Sequence, residues 1–402
     1  MHAPRAAHPS WAMVTLLGAM TAFGAMSIDM YLPAMPSIGR ELNATPGEVQ
    51  RTLSALLAGL AIGQVVYGPL SDRLGRRPPL LGGILLYVVA SLWCALTADV
   101  TQLVVARFVQ GVGACSAMVI GRAVVRDRYD HTDTARILSL ISLVFGLAPI
   151  LAPIVGGFVM MFAGWRMIFW VLGGFGVAVG LAVLFGLRET RSARTAEIAA
   201  GETAIEGYRV LLGNRRLLGY MLAGACNSAC LFAYIAAAPE LVIGTYGIDA
   251  QHFGWVFGVN SVGLIAASQI NRVLLRHRSP DRILASGVIG ALGAGLLLLA
   301  TALTGVGGMW GVLVPLFFVV SSFGFMFANT AAGAMSVDPH RAGSISGLTG
   351  AVGYAVGAAS SAVVGFFHDG SAVPMALVVV AALTASALAL FLLALRGPQA
   401  SR

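Results

Sequence analysis

A helix that crosses a bilayer needs about 20 consecutive, mostly apolar residues, and such stretches follow one another along nearly all of this 402-residue chain. They fall near 12–35, 50–70, 79–97, 100–122, 135–158, 164–187, 214–240, 250–275, 281–303, 308–330, 342–366 and 372–395. Hydrocarbon offers no water to backbone N–H and C=O groups, so a segment of this length must close its own hydrogen bonds as a helix. The expected fold class is therefore an all-α polytopic membrane protein with 12 transmembrane helices. Composition agrees, because 58% hydrophobic and only 10% charged residues lie outside the range of soluble domains. The first stretch, behind Arg5, runs too long for a signal peptide and carries Asp29, so it reads as a retained helix.

All 25 basic residues are arginine, and the formal net charge is +8. In a soluble chain that balance would point to nucleic acid. Here the arginines fall in the gaps between apolar stretches, where they set topology, and no nucleic-acid partner is expected. Only Arg40, Arg51, Arg107 and Arg166 lie away from the face shared by the rest. An even number of spans then places both termini on that arginine-rich side, read as the cytoplasm. Without lysine no Walker-type phosphate loop is possible, which excludes an ATP-driven pump on this chain. Cys94, Cys115, Cys226 and Cys230 lie in apolar stretches without a C-x-x-C pair, and the seven histidines are placed in termini or loops. No disulfide, metal site, cofactor or intramembrane histidine relay is expected. A membrane-embedded lipid enzyme would need a nucleophile and base at membrane depth, and is the distant alternative.

A long polar stretch from about Arg188 to Arg216 divides the spans six and six. The expected domains are a bundle over 1–187, a cytoplasmic linker over 188–213 and a second bundle over 214–402. A weak repeat supports the division, since Tyr31, Pro33 and Pro36 near the end of the first span have counterparts in Tyr234 and Pro239 near the end of the seventh. Two related halves around a midplane site is a transporter pattern. Asp29 and Arg107 are ionisable groups inside spans, at matching depth about 10 Å below the outer surface. That depth would let them meet, and a carboxylate that gains and loses such a partner suits proton coupling.

The second and third spans are joined by GPLSDRLGRR, Gly68 to Arg77, where the glycines and Pro69 read as a tight turn among charges. Gly68, Leu70, Asp72, Arg73, Gly75, Arg76 and Arg77 resemble the G-x-L-x-D-R-x-G-R-R signature of the major facilitator superfamily. Leu103, Arg107, Gln110, Gly111 and Gly113 resemble that family's fourth-helix motif, which implies a proton-handling role for Arg107. In the fifth span GLAPILAPIVGGF, with Pro149, Pro153, Gly156 and Gly157, is similar to the family's antiporter signature, except that Ala152 replaces the glycine before Pro153. A kinked, tightly packed helix is expected there.

With SIDMYLPA, GWRMIFW and AGSISG added, the chain resembles the Bcr/CflA group of proton-driven drug exporters, whose members include bicyclomycin and chloramphenicol resistance carriers. The resemblance implies a bacterial inner-membrane protein, not an enzyme, that exchanges protons for drug-like small molecules by alternating access. A monomer in contact with membrane lipid is expected. Gly68, Asp72, Arg73, Gly75, Arg76, Arg77 and Arg122 form the expected conformational gate, with Asp72 latching onto the start of the eleventh span at Ala342 to Gly350. Candidate substrate-lining residues are Tyr31, Phe145, Asn227, Tyr234, Phe257, Asn260, Phe327 and Tyr354, an aromatic surface with few hydrogen-bonding groups. A proton-coupled carrier of one metabolite, by export or symport, is the alternative.

Overall fold

A computed structural model of the chain describes residues 11–129, 131–191, 209, 211–338 and 341–395. The first half contains α1 (Trp11–Asp29), α2 (Met35–Glu41), α3 (Pro46–Leu74), α4 (Arg77–Leu96), α5 (Val100–Arg128) and α6 (His131–Gly186). The second contains α7 (Arg215–Pro239), α8 (Ala250–Leu274), α9 (Pro280–Thr304), α10 (Gly308–Val337), α11 (Ala342–Phe366) and α12 (Val373–Ala389). The expected linker, 188–213, lies mostly outside the described residues.

Several boundaries follow from local chemistry. Thr45 and Glu48 cap the start of α3 reciprocally, each side chain accepting from the other's backbone N–H, with Pro46 in the first turn. Asp99 caps α5 and Asn214 caps α7 in the same sense. Among the described residues eleven helices are long and apolar enough to cross a membrane, and one of them, Leu147–Gly186, is 40 residues long. That helix breaks at Gly164, whose φ of 72° and ψ of 178° leave helical space. Its two arms, 131–163 and 165–186, stand in for the fifth and sixth spans, so a single glycine replaces the expected connecting loop. The backbone of α6 stays within helical dihedrals at Pro149 and Pro153, and its sharp departure lies at Gly164.

Three other expectations change. The first span does not run unbroken to residue 35; α1 stops at Asp29, and a 3₁₀ turn over Leu32–Ala34 carries Pro33 before α2 begins. Helix α3 continues through Gly68 and Pro69 to Leu74, and the turn falls at Gly75, with φ 94°. Finally, α5 extends to Arg128, so Arg126 and Arg128 lie on a helix where a loop was expected. His131 and His252 also belong to helix ends, at the starts of α6 and α8.

Between the halves, α3 packs on α11 and α6 on α8. Both seams are tight at the end away from the arginines. A Cβ at Gly47 would lie 2.3 Å from the Gly365 carbonyl oxygen, so these two backbones touch. Ser54 then donates to Ser361 at 3.0 Å. Further along, a Cβ at Gly350 would stand 3.3 Å from the Gln64 amide, and at Gly68, one turn beyond Gln64, a Cβ would meet nothing within 4 Å. On the other seam, Gly254 abuts Ile154 at 2.8 Å and Gly258 meets Ile150 only at 3.7 Å. The halves are sealed at one end and part toward the arginine-rich end.

Candidate functional site at the bundle interface

Asp29 is the last residue of α1 and is only 4% exposed. Among the described residues its carboxylate has no hydrogen bond or ion pair. Tyr234 of α7 and Tyr354 of α11, both from the opposite half, lie within its electrostatic reach. The α6 backbone crowds this corner, since a Cβ at Gly156 would be 2.1 Å from the Met30 carbonyl oxygen. A Cβ at Gly157 would meanwhile stand 3.1 Å from the Ala250 carbonyl oxygen of α8. The adjacent glycines of GLAPILAPIVGGF therefore serve two contacts, one beside Asp29 and one in the seal between halves. Larger side chains would fill both approaches.

Arg107 is fully buried but does not meet Asp29. Its Nη2 donates to the Ser27 carbonyl at 2.8 Å and its Nη1 to Gln110 Oε1 at 2.7 Å. Gln110 passes the network to Ser91 at 2.8 Å, and Ser27 Oγ lies 3.0 Å from the Tyr87 hydroxyl. The guanidinium also sits over the Tyr31 ring, 4.4 Å from its centroid. Matching depth was the correct part of the expectation. Azimuth separates the pair: two residues along a helix is a turn of about 200°, so when Ser27 faces Arg107, Asp29 faces the opposite side. Arg107 instead neutralises carbonyls in the last turn of α1, where the helix dipole is negative.

The eight substrate-lining candidates separate into four groups. Tyr31 is fully buried within the first half, bonded to Thr52 at 2.7 Å beneath Arg107. Asn227 turns toward α12, where its Oδ1 accepts from Ser386 at 3.0 Å. Both are thereby interior groups of one bundle. Tyr234, Phe257 and Asn260 form one buried cluster: the rings stack at 5.3 Å and Asn260 Nδ2 donates to Tyr234 Oη at 2.8 Å. Phe327 is 70% exposed, while Tyr354 is half-buried with its ring 5.9 Å from Phe232. On α10, Gly324 packs on α8 and Gly333 on α7, and Phe327 projects from the sector between them, toward the parting between the halves. The side chain of Phe145 lies outside the described residues.

The gate residues are tied together by a partner that motif reading did not single out. Arg76 donates to Asp72 at 2.5 Å, to Asp127 at 2.7 Å and to Ser71 at 2.8 Å. Burial works against the Arg76 charge, but Asp127 and Asp72 outweigh it and hold its pKa above the ordinary value. Asp127 was legible as the single acid within Arg126-Asp127-Arg128 at the end of α5. Glu189 and Arg191 add a second layer. Glu189 accepts from the backbone N–H of Arg76 at 2.9 Å and Arg77 at 3.1 Å, and Arg191 reaches back to the carbonyls of Asp72 and Arg73. Arg77 also donates to the Leu184 carbonyl. Arg122 stands apart from this cluster, exposed beside Gln64 at 3.3 Å. Asp72 is thus engaged within its own half in this conformation.

The whole-chain comparisons agree with this geometry. Residues 17–362 match the family model of the Major Facilitator Superfamily. An uncharacterized MFS-type transporter, YdgK of Bacillus subtilis, is 34% identical over 385 residues, covering 94% of each chain. A bicyclomycin resistance protein homolog of Haemophilus influenzae is 30% identical over 383 residues, covering 95% of this chain and 96% of its own. Among solved structures, the xylose transporter XylE of E. coli superposes with a TM-score of 0.73 at 14% identity, over 94% of this chain and 97% of that one, which shows the fold. The chain belongs to the Major Facilitator Superfamily: it is a multi-pass transporter of the bacterial inner membrane, with relatives named for drug resistance, and not an enzyme.

Proposed function

We propose that this transporter exports drug-like small molecules from the cytoplasm in exchange for protons. The observation that carries the reading is Asp29: a buried carboxylate without an ion pair, at the interface of the two halves, beside the α6 glycines that seal one end. A group in that position changes its surroundings whenever the halves rock, which is what couples protonation to conformation. Arg107 supports it from behind by fixing the end of α1. In this reading the arginine-rich end and both termini face the cytoplasm, the protein acts as a monomer, and the inward-facing state is the one with the parted arginine-rich end. Asp72 would exchange its Arg76 contact for the start of α11 when the carrier turns outward. Tyr354 and Phe327 are the substrate-lining residues this geometry favours, with Tyr234, Phe257 and Asn260 as a supporting cluster.

The test is drug susceptibility of an efflux-deficient bacterium that expresses the wild type or Asp29→Asn, across bicyclomycin, chloramphenicol and cationic dyes. Wild-type resistance that disappears in Asp29→Asn at equal expression is the expected result. If the well-expressed wild type protects against no compound in the panel, a narrow metabolite carrier replaces the export reading.

A further inference from the structure

Arg122 occupies the point where the seal between the halves ends. Its Nη2 donates to Gln64 Oε1 at 3.3 Å, and Gln64 packs on α11 at Gly350, one turn before the open space at Gly68. Its Nε donates to the Met118 carbonyl at 3.2 Å within its own helix. Its Nη1 makes no described hydrogen bond, and no carboxylate lies within 4 Å of the guanidinium among the described residues. Tyr354, from the opposite half, lies within electrostatic reach of Arg122 on one side and Asp29 on the other. Arg126 follows one turn nearer the arginine-rich end, also exposed. Of the described acids on that side, Asp72 and Asp127 are bound to Arg76, Glu189 to the backbone N–H groups of Arg76 and Arg77, Asp281 to Tyr220 and Asp338 to Arg341.

The approach to the interface therefore presents fixed positive charge with donors to spare, within electrostatic reach of Tyr354. A permanent cation meets repulsion there before it reaches Asp29. A molecule with a carboxylate, nitro or carbonyl oxygen meets a charged donor, which makes the stronger class of hydrogen bond. We infer that Arg122 is a specificity residue of the export site, anchoring an acceptor-bearing, neutral or anionic amphiphile and excluding permanent cations. This rests on the export reading above and names the chemistry of its substrate.

The test measures equilibrium binding to the purified wild type, Arg122→Gln and Arg122→Lys, with three probes: chloramphenicol, its anionic succinate ester and tetraphenylphosphonium. Export of chloramphenicol and tetraphenylphosphonium is followed in cells. The wild type should bind the anion and the parent about tenfold more tightly than the cation, a gap that Arg122→Gln closes and Arg122→Lys keeps. Retention of the gap in Arg122→Lys shows that the site remains folded. If the wild type binds the cation as tightly as the anion, or if Arg122→Gln leaves their ratio unchanged, Arg122 is not a charge filter. In that case, continued export of both compounds would leave the export reading standing. If the wild type neither binds nor exports any probe, the export reading falls, and this inference with it.

Discussion

The connection from α3 to α4 and the connection from α8 to α9 hold corresponding places in the two halves, and each ties its first helix to a neighbour. In the first half the tie is ionic: Arg76 joins Asp72 of α3 to Asp127 of α5, with Glu189 and Arg191 laid over the turn. In the second half the tie is neutral, with Asn329 of α10 donating to Asn271 of α8 at 2.8 Å, both side chains buried. The nearest acid there, Asp281, takes the Tyr220 hydroxyl at 2.6 Å, and Arg216 stays 3.8 Å away. The second-half loop keeps Arg276 and Arg278 but has no glycine, so it closes through ordinary turns onto Leu274. An amide pair has little to gain from a change of partner. A carboxylate held by one shared arginine can exchange it for another positive end, and this asymmetry favours the proposal that the switchable junction belongs to the first half.

The comparison breaks most sharply at Arg76. Arg76→Met leaves two carboxylates facing each other without a cation, and should cost about 3 kcal/mol of stability, the loss typical of breaking a buried pair. Asn271→Leu in the other half deprives Asn329 of one of its two acceptors, the other being the Phe325 carbonyl, and should cost about 1 kcal/mol. Thermal unfolding of both purified variants in the same detergent checks the ranking. Equal losses would mean that the two junctions are energetically equivalent despite their chemistry.

Gly75 tests the same contrast through the backbone. Its φ of 94° is unfavourable for any residue with a Cβ, and a Cβ there would stand 2.7 Å from Glu189 Oε2. Gly75→Ala should cost about 2 kcal/mol through conformational strain and displacement of that carboxylate. In the second-half loop no described residue has a positive φ, so an alanine scan of 275–279 should move stability by under about 0.5 kcal/mol per position. A Gly75→Ala variant as stable as the wild type would show that the turn has a second conformation within reach.

Much of this was legible in the chain itself. Length and hydropathy gave the all-helical, multi-pass architecture, because bilayer thickness and backbone satisfaction leave little else. Spacing singled out Asp29, Arg107 and the gate motif as candidates. What it could not supply was azimuth. Depth along a helix follows from residue number alone, and it put Asp29 and Arg107 level. Which way each points depends on where α1 stops, and that depends on Pro33 and on Arg107 taking the Ser27 carbonyl. Depth also could not tell that Tyr31 bonds to Thr52 and Asn227 to Ser386 within their own bundles, since a polar group at midplane depth suits the next helix as well as a substrate. Asp127, Glu189 and Arg191 were missed because motif matching stopped at Arg77, while the charges of Arg76 and its neighbours required partners from elsewhere in the chain.

The smallest expected effect belongs to Glu189, and its pH dependence makes it the most specific. This carboxylate, outside the spans, is penalised by burial, yet the backbone N–H groups of Arg191, Arg76, Arg77 and Thr190 more than compensate and hold its pKa below the usual glutamate value. A group whose folded pKa is depressed contributes stability above its unfolded pKa, near 4.5, and loses it as pH falls through the folded value. Glu189→Ala should therefore cost about 1 kcal/mol at pH 7, the scale of a lost helix cap at the start of α4. The gap to the wild type should shrink as pH is lowered below about 4.5, where the carboxylate of the unfolded wild-type chain takes up a proton while the folded one still holds its charge. Measuring the two proteins side by side cancels every contribution that both retain. A gap constant from pH 7 to pH 4 would mean that Glu189 acts by packing alone, and that the ionic character of this junction resides in Arg76 and its two aspartates.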